Sequence, residues 1–586
     1  MNFTPLARIG LAFIPLAFLS SPQKNDIMTQ NHLCIHGHFY QPPRENPWLN
    51  KIEEQSSAAP YHDWNERINA ECYRTNAFAR ILNKGGQILK IVNNYEFISF
   101  NFGPTLLSWI EQFDTETYQA IIEADRRSLK RLGYGNAIAQ VYNHLIMPLA
   151  NQRDKQTQVI WGIRDFENRF GRKPEGMWLA ETAVDTATLE TLAANGIQYT
   201  ILAPRQAKAF RKTGDENWTG CANDNINTRQ AYLCKLPSGN TISLFFYDGD
   251  LSQAVAFEGL LHDGKNFAQR LINSFENTKT ELIHIATDGE SYGHHHRNGE
   301  MALADCLEHI QKNDLAKLTN YATYLKENPS EFEIQIHENS SWSCYHGVER
   351  WRADCGCKTG GQPDWSQAWR KDLRELLDWL RDELAIIFEK EAGKWVKSPW
   401  ETRNNANLSI KNNPDTPIDK LLEMQRNALF MFTSCAWFFD EISGIETTQV
   451  LQYAKRAMEI AEELTGKDLH PTFLQKLENT LSNVKENGAT AYKKHVLPAK
   501  LKAEGEYFFQ KMQDLKLTSK WNEFDALAKS LTALKAANIS IDDLEKCQNH
   551  YYTLKILFEQ EEENRADDKF KKAFDELGLM LKFEDA

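Results

Sequence analysis

Rhythm constrains this chain more than any single motif. Short apolar runs at residues 33–39, 88–93, 137–141, 176–180, 197–202, 242–247, 282–287 and 332–337 alternate with helical stretches such as 186–195 and 265–275. Runs of this length read as strands, and intervening helices are what parallel neighbours need as crossovers. Seven or eight such units within about 310 residues favour a closed α/β barrel over an open sheet. No Gly-x-Gly-x-x-Gly or phosphate loop follows the first run, which counts against a nucleotide-binding doubly wound fold, and no cofactor is implied.

The alternation is interrupted twice. Residues 205–240 are polar and rich in Gly and Asn, and read as an inserted loop or hairpin. Beyond about residue 366 the strand signals stop and amphipathic helix takes over, as in 367–390, 418–442 and 448–464. The expected division is a catalytic barrel over 28–355, a helical domain over 356–470 contributing to the cleft, and a C-terminal helical domain over 471–586. Residues 1–27 stand apart. Arg8 precedes an apolar stretch at 9–19 that resembles the core of a signal peptide and is too short to span a bilayer. Met28, just before the first strand, makes an upstream extension an equal reading. The expectation is a cytoplasmic protein, or an exported one if that segment is a genuine signal.

The net charge of -13 disfavours nucleic acid as a partner, since phosphate binding wants a basic face. No later segment looks transmembrane, so no membrane partner is expected. An acidic surface suits neutral sugars, and 15 Trp, 19 Tyr and 31 Phe supply rings that could stack on them, although most belong to the core. The ten cysteines are scattered and do not form a secreted disulfide framework. Oligomeric state is not legible.

Chemistry concentrates in two segments, Trp178-Leu179-Ala180-Glu181 and Thr287-Asp288-Gly289-Glu290. Each places an acid just after a buried strand. In a barrel, residues at the C-terminal strand ends converge, and two converging carboxyl groups are what cleavage of a glycosidic bond requires. His38 and His144 also fall at or just beyond strand ends.

These segments resemble, in order, the motifs of glycoside hydrolase family 57. His36-Gly37-His38-Phe39-Tyr40-Gln41-Pro42 is similar to the first motif, Tyr142 to Leu149 around His144 to the second, and Trp178 to Glu181 to the third. Asp288 to His295 is similar to the fourth, and Ser340-Ser341-Trp342 continuing to Trp351 to the fifth. The match covers residues 30–355. The resemblance implies a retaining enzyme acting mainly on α-glucans, built as an incomplete (β/α)7-type barrel followed by an all-helical C-terminal region. It makes Glu181 the nucleophile and Asp288 the general acid/base, and gives His38 and His144 hydrogen bonds to the sugar. Trp178, Trp342 and Trp351 are candidate stacking platforms, His294 a further contact, and Glu290 a rival acid. In the helical part, Ser434 to Asp440 is similar to the segment through which relatives bring their helical domain to the cleft. It nominates Trp437 and Asp440, with Ala436 where the family has Asp. Hydrolysis, 4-α-glucanotransfer and branching stay open, as does the sugar.

Two other readings compete. His36, His38, Asp288 and His294-His295-His296 could gather round a divalent cation, as in a carbohydrate deacetylase or a metal-using glycosidase. A glycan-binding barrel without activity is the other. Near the fifth motif, Cys344, His346, Cys355 and Cys357 form an inventory able to bind zinc. Their spacing is not a recognised Cys-x-x-Cys pairing, so reduced thiols or a substrate-contacting loop are expected there and no metal is assigned.

Overall fold

The computed structural model describes residues 31–222, 225–276, 281–406, 416–516, 519–536, 544–560 and 568–581. The N-terminal segment 1–27 lies outside them, as does much of the acidic run at 559–565. Seven parallel segments organise the first half: β1 (His32–Phe39), β2 (Ser99–Phe102), β3 (Ala139–Gln140), β4 (Met177–Trp178), β5 (Tyr199–Leu202), β6 (Thr241–Phe246) and β7 (Leu282–Asp288). β1 lies between β7 and β2, parallel to both. From β2 the pairing passes to β3 through a Phe100–Ala137 bridge, then to β4, to β5 through Gly176–Tyr199, and on to β6. The seam between β6 and β7 is thin, with Asp248 N–H donating to His284 O at 2.9 Å.

Side-chain alternation fits a sheet curved into a ring, since successive residues point to opposite faces. Cys34, Trp178, Ile201, Phe245 and Ala286, from five of the seven segments, meet in one buried cluster with Ile138, the residue just before β3. Their neighbours Leu33, Ile35, Met177, Leu202, Phe246 and Ile285 join the larger core against the helices. Those helices include Pro104–Phe113, Thr115–Leu132, Gln152–Phe170, Thr186–Ala194 and Gly264–Ile272. Their starts are encoded locally: Asn151 and Asp185 cap two of them by accepting from Asp154 N–H and Thr188 N–H.

Several expectations are corrected. Residues Ile88–Val92 are not a ring strand but pair antiparallel with Ala79–Leu82 in a surface hairpin, leaving Leu89 66% exposed. The second ring strand is Ser99–Phe102. Phe332–Ile336 is likewise outside the ring. It pairs antiparallel with Ala207–Lys212 and touches Ala231–Lys235, while Ala207–Lys212 also pairs antiparallel with Thr219–Gly220, so the inserted region forms the expected hairpin and extends it into a side sheet with a distant strand. The helix expected over 418–442 ends at Phe430 (Pro417–Phe430). The chain turns there because Thr433 bridges to Leu145 and Ser434 N–H donates to His144 O at 3.0 Å.

The rest is helical: Trp369–Ala392, Ile445–Thr465 and Gly488–Asp514 are the longest pieces. The main core runs on through Phe473, Leu477 and Tyr492. A separate apolar cluster, including Phe508, Phe524, Phe558 and Phe574, closes the C-terminal helices. Among the described residues no helix is long and apolar enough to cross a membrane.

Candidate active site

Strand register fixes the first row of the site. At the C-terminal end of β1, His38 is the direct neighbour of Asp288 on β7 and of Asn101 on β2. Gly289 then turns the chain against Phe39, where any Cβ would stand 2.2 Å from the ring. The turn separates the two acids of this segment. Asp288 remains open to solvent, with no hydrogen bond to its carboxyl from the described residues. It is nonetheless closely walled in. Loss of hydration, then the negative charges of Glu290 and Glu181, push its pKa well above the usual carboxylate value. Glu290 is buried, and its Oε1 accepts from Tyr73 Oη at 2.6 Å and Tyr40 N at 3.1 Å. Burial raises its pKa to about 7 against those hydrogen bonds.

Glu181 enters from the end of β4 on an unusual backbone. Glu181 and Thr182 have φ of 56° and 52°, and every other non-glycine residue with positive φ among those described is Asn, Asp or His. Side chains without a short polar group pay for that region, about 1 kcal/mol or more each. The surroundings hold the turn: Thr182 donates to Gln206 Oε1 at 2.8 Å, Gln206 Nε2 returns a bond to Thr182 O at 2.9 Å, and Trp342 N donates to Glu181 O at 3.0 Å. The Glu181 carboxylate is treated unequally. Trp342 Nε1 (2.9 Å) and Ser343 Oγ (2.5 Å) both donate to Oε2, and Oε1 is left over. Burial raises its pKa, opposed by the Ser343 and Trp342 hydrogen bonds and by the Arg350 charge.

The histidines form a relay. Asn101 Nδ2 donates to His38 Nδ1 at 2.9 Å, His38 Nε2 and His144 Nε2 lie 3.1 Å apart, and His144 Nδ1 is 2.7 Å from Ser434 Oγ. Asn101 donating to Nδ1 makes Nε2 of His38 the protonated nitrogen, so His144 accepts there and donates to Ser434. Burial depresses both pKa values, with the neighbouring His144 adding to the effect on His38, so both rings are neutral near pH 7. Each Nε2 is therefore satisfied by the other ring, and sugar contact falls to ring edges unless the pair opens.

The remaining sequence candidates separate clearly. Trp178 is fully buried, stacked on His36 and His38 at 4.9 Å, and roofed edge-on by Trp342 at 5.2 Å. It supports the floor, while Trp342 is half-buried and reaches the carboxylate. Trp351 and Trp437 are buried and donate to Ser434 O and Arg370 O, so neither ring faces a ligand. Asp440 accepts from Thr359 N and Gly361 N, pinning a loop. His294 pairs with Glu71. His296 bonds Ala256 O and His36 bonds Ser99 and Asn101, so four histidines of the cation-binding alternative, His36, His38, His294 and His296, are engaged with separate partners.

Sequence reasoning missed Asn101, Ser343, Gln206 and the role of Ser434. Asn101 alone left a trace, as a polar residue between two phenylalanines in a buried strand.

Comparison with known proteins identifies the family. Residues 34–337, just over half of the chain, match the family described as Glycosyl hydrolase family 57. Residues 365–416 and 405–508 match a second family, described as a domain of unknown function, DUF3536. The structure is similar to that of an exo-type maltose-forming amylase from Pyrococcus sp. ST04, with TM-score 0.58 and 16% identity, covering 86% of this chain and 89% of that one. A branching enzyme of the same family from Pyrococcus horikoshii aligns with TM-score 0.49 and 16% identity over 79% of this chain and 97% of that one. Alpha-amylase 1 of Dictyoglomus thermophilum is 27% identical over 106 residues, 18% of this chain and 15% of the relative, so the chain spans only a small part of that relative's length. The chain belongs to glycosyl hydrolase family 57.

Proposed function

We propose that this glycoside hydrolase or transferase acts on α-linked glucans or related oligosaccharides by a retaining double displacement, with Glu181 as nucleophile and Asp288 as acid/base. The observation that carries this reading is the contrast between two carboxyl groups, the charge of one acting on the other. Glu181 has one oxygen fixed by two donors and one left over. Asp288 is open, unbonded and biased towards the protonated form.

Oε1 of ionised Glu181 attacks the anomeric carbon while Asp288 passes its proton to the departing oxygen. Formation of the ester removes the Glu181 charge, one of the two that favour protonated Asp288. Asp288 is then less strongly biased towards the protonated form and accepts a proton from the incoming hydroxyl. Water as acceptor gives hydrolysis; a sugar gives transfer. The seven-segment ring with its thin seam supports an incomplete (β/α)7-type barrel as scaffold, with the helical region lending Ser434 to the site. The amylase names of two similar proteins support the choice of α-glucan.

The test is mass spectrometry of products from maltoheptaose, with Glu181→Gln as control. Shorter products alone identify a hydrolase and longer ones a transferase. Turnover that survives in Glu181→Gln refutes the assignment, and an inert wild type excludes linear α-glucans.

A further inference from the structure

The loop that holds Glu181 contains a second constellation. Cys344, His346, Cys355 and Cys357 bring their ligand atoms within 4.8 Å of one another, the one such gathering of His, Cys, Asp or Glu among the described residues. Cys344 Sγ lies 3.9 Å from Cys355 Sγ and 3.8 Å from Cys357 Sγ, and Cys357 Sγ lies 3.6 Å from His346 Nδ1. A tetrahedral zinc with ordinary bond lengths has edges of about 3.8 Å between sulfurs and about 3.6 Å between sulfur and nitrogen. A disulfide needs sulfurs at about 2.05 Å, far inside the separations of Cys344 from its two partners.

The backbone is shaped to close this set. Two short pairs, Cys-x-His and Cys-x-Cys, come from opposite ends of one loop. Gly356 sits between the second pair at φ 77°. Gly347, just after the first, has φ 86°, and a Cβ there would lie 2.3 Å from Asn339 O. The surroundings carry positive charge that is only partly compensated, Arg350 by the more distant Glu181 and Arg370 by Asp440. Arg350 and Arg370 are buried, the Nε of each has no hydrogen-bond partner, and Arg350 forms no ion pair among the described residues. Arg370 reaches its one anion, Asp440, only at 3.6 Å and donates to Cys357 O at 2.8 Å. Three thiolates and one imidazole on a divalent cation carry a net single negative charge, opposite to that of the two arginines.

We propose that Cys344, His346, Cys355 and Cys357 form a closed four-coordinate zinc site that clamps the loop presenting Trp342 and Ser343 to Glu181. Four protein ligands leave no open position, so the metal is structural and takes no part in bond cleavage. Binding releases the thiol protons as the sulfurs coordinate, with no change in oxidation state. Cys344 follows Ser343 directly, so its coordination fixes the donors on Oε2. The site rests on its own geometry; only its influence on catalysis rests on the Glu181 assignment, which the maltoheptaose assay tests separately.

The full chain, purified from zinc-supplemented culture, is analysed for metal and then reconstituted with cobalt(II). The expected result is about one zinc per chain, falling below about a tenth in Cys355→Ser/Cys357→Ser, with the intense visible bands and thiolate charge transfer of tetrahedral cobalt. Metal-free wild type without a cobalt spectrum, or a disulfide among the three cysteines, overturns the site. Should the double variant not fold, titration of wild type with a mercurial in the presence of a zinc dye gives the same answer: zinc release tracking thiol modification supports the site, and release without it overturns it. For the clamp, the metal-free protein should show the acid limb of kcat/KM moved to higher pH and restored by zinc. An unmoved limb overturns the clamp alone.

Discussion

Removal of the Ser343 hydroxyl isolates one contribution to the reactivity of Glu181. Ser343→Ala deletes one of two donors on Oε2 and leaves Trp342 Nε1 in place at 2.9 Å. A hydrogen bond to a charged group contributes about 1.5–3 kcal/mol, and the lower end applies because Glu181 is only half-buried. At 1.36 kcal/mol per pKa unit, this corresponds to about one unit. The lost donor favoured the ionised form, so the Glu181 pKa rises and the acid limb of kcat/KM moves up by about one pH unit. On that limb activity falls about tenfold, while above it the loss is about twofold, since one donor still orients the carboxylate. The assay is a pH–rate profile on a defined maltooligosaccharide, with melting temperature as a folding control. An unmoved acid limb with equal losses at every pH, or a shift of the alkaline limb instead, would refute the reasoning.

Three further outcomes are expected. In Glu290→Gln, the new amide still accepts from Tyr73 and Tyr40 but lacks the charge that Glu290 acquires above about pH 7, so Asp288 releases its proton more readily. The alkaline limb then moves to lower pH with the acid limb unchanged, and movement in the opposite direction excludes the coupling. Asp288→Asn, given an aryl glycoside whose leaving group needs no proton, should form the Glu181 ester and hydrolyse it slowly. Peptide mass spectrometry should find the adduct on Glu181, and wild-type turnover without an adduct counts against both roles. Arg403→Ala takes from the buried Asp154 carboxylate its closer cation, 2.9 Å away, and leaves only Arg153 at 3.5 Å, at a cost of about 3 kcal/mol. Its thermal midpoint should fall well below that of Asp154→Asn, and equal midpoints contradict the charge argument.

The sequence was most informative where a single strand carries the signal. The runs that became β1, β6 and β7 were legible because they are buried on both faces. The 88–93 run misled for the complementary reason: apolar content does not say whether a strand is covered, and Ile88, Leu89 and Ile91 lie exposed on a hairpin. The strand that replaced it, Ser-Phe-Asn-Phe, hid because Asn101 looks solvent-seeking until His36 and His38 supply its hydrogen bonds. Both carboxylates could be nominated because their motifs are local. Their supports could not, since Ser343 reaches Glu181 across 162 positions and Ser434 reaches His144 across 290. Trp437 and Asp440 failed as cleft residues for the same reason. Their segment does approach the site, but it is the serine at its start that arrives. The gathering of Cys344, His346, Cys355 and Cys357 was not legible because a linear pattern carries no information about how a left-handed glycine folds one pair back onto another.

The left-handed backbone at Glu181 and Thr182 also bears on how such a chain decays. A position held at positive φ is one where glycine relieves the fold. If selection for turnover lapsed, replacement of Glu181 by glycine would abolish the chemistry and relax the turn in a single step. A lineage freed from its substrate would therefore lose the backbone strain together with the carboxylate. A glutamate kept at this position marks continued use of the cleft more reliably than an equally invariant core leucine, whose retention needs no explanation beyond packing.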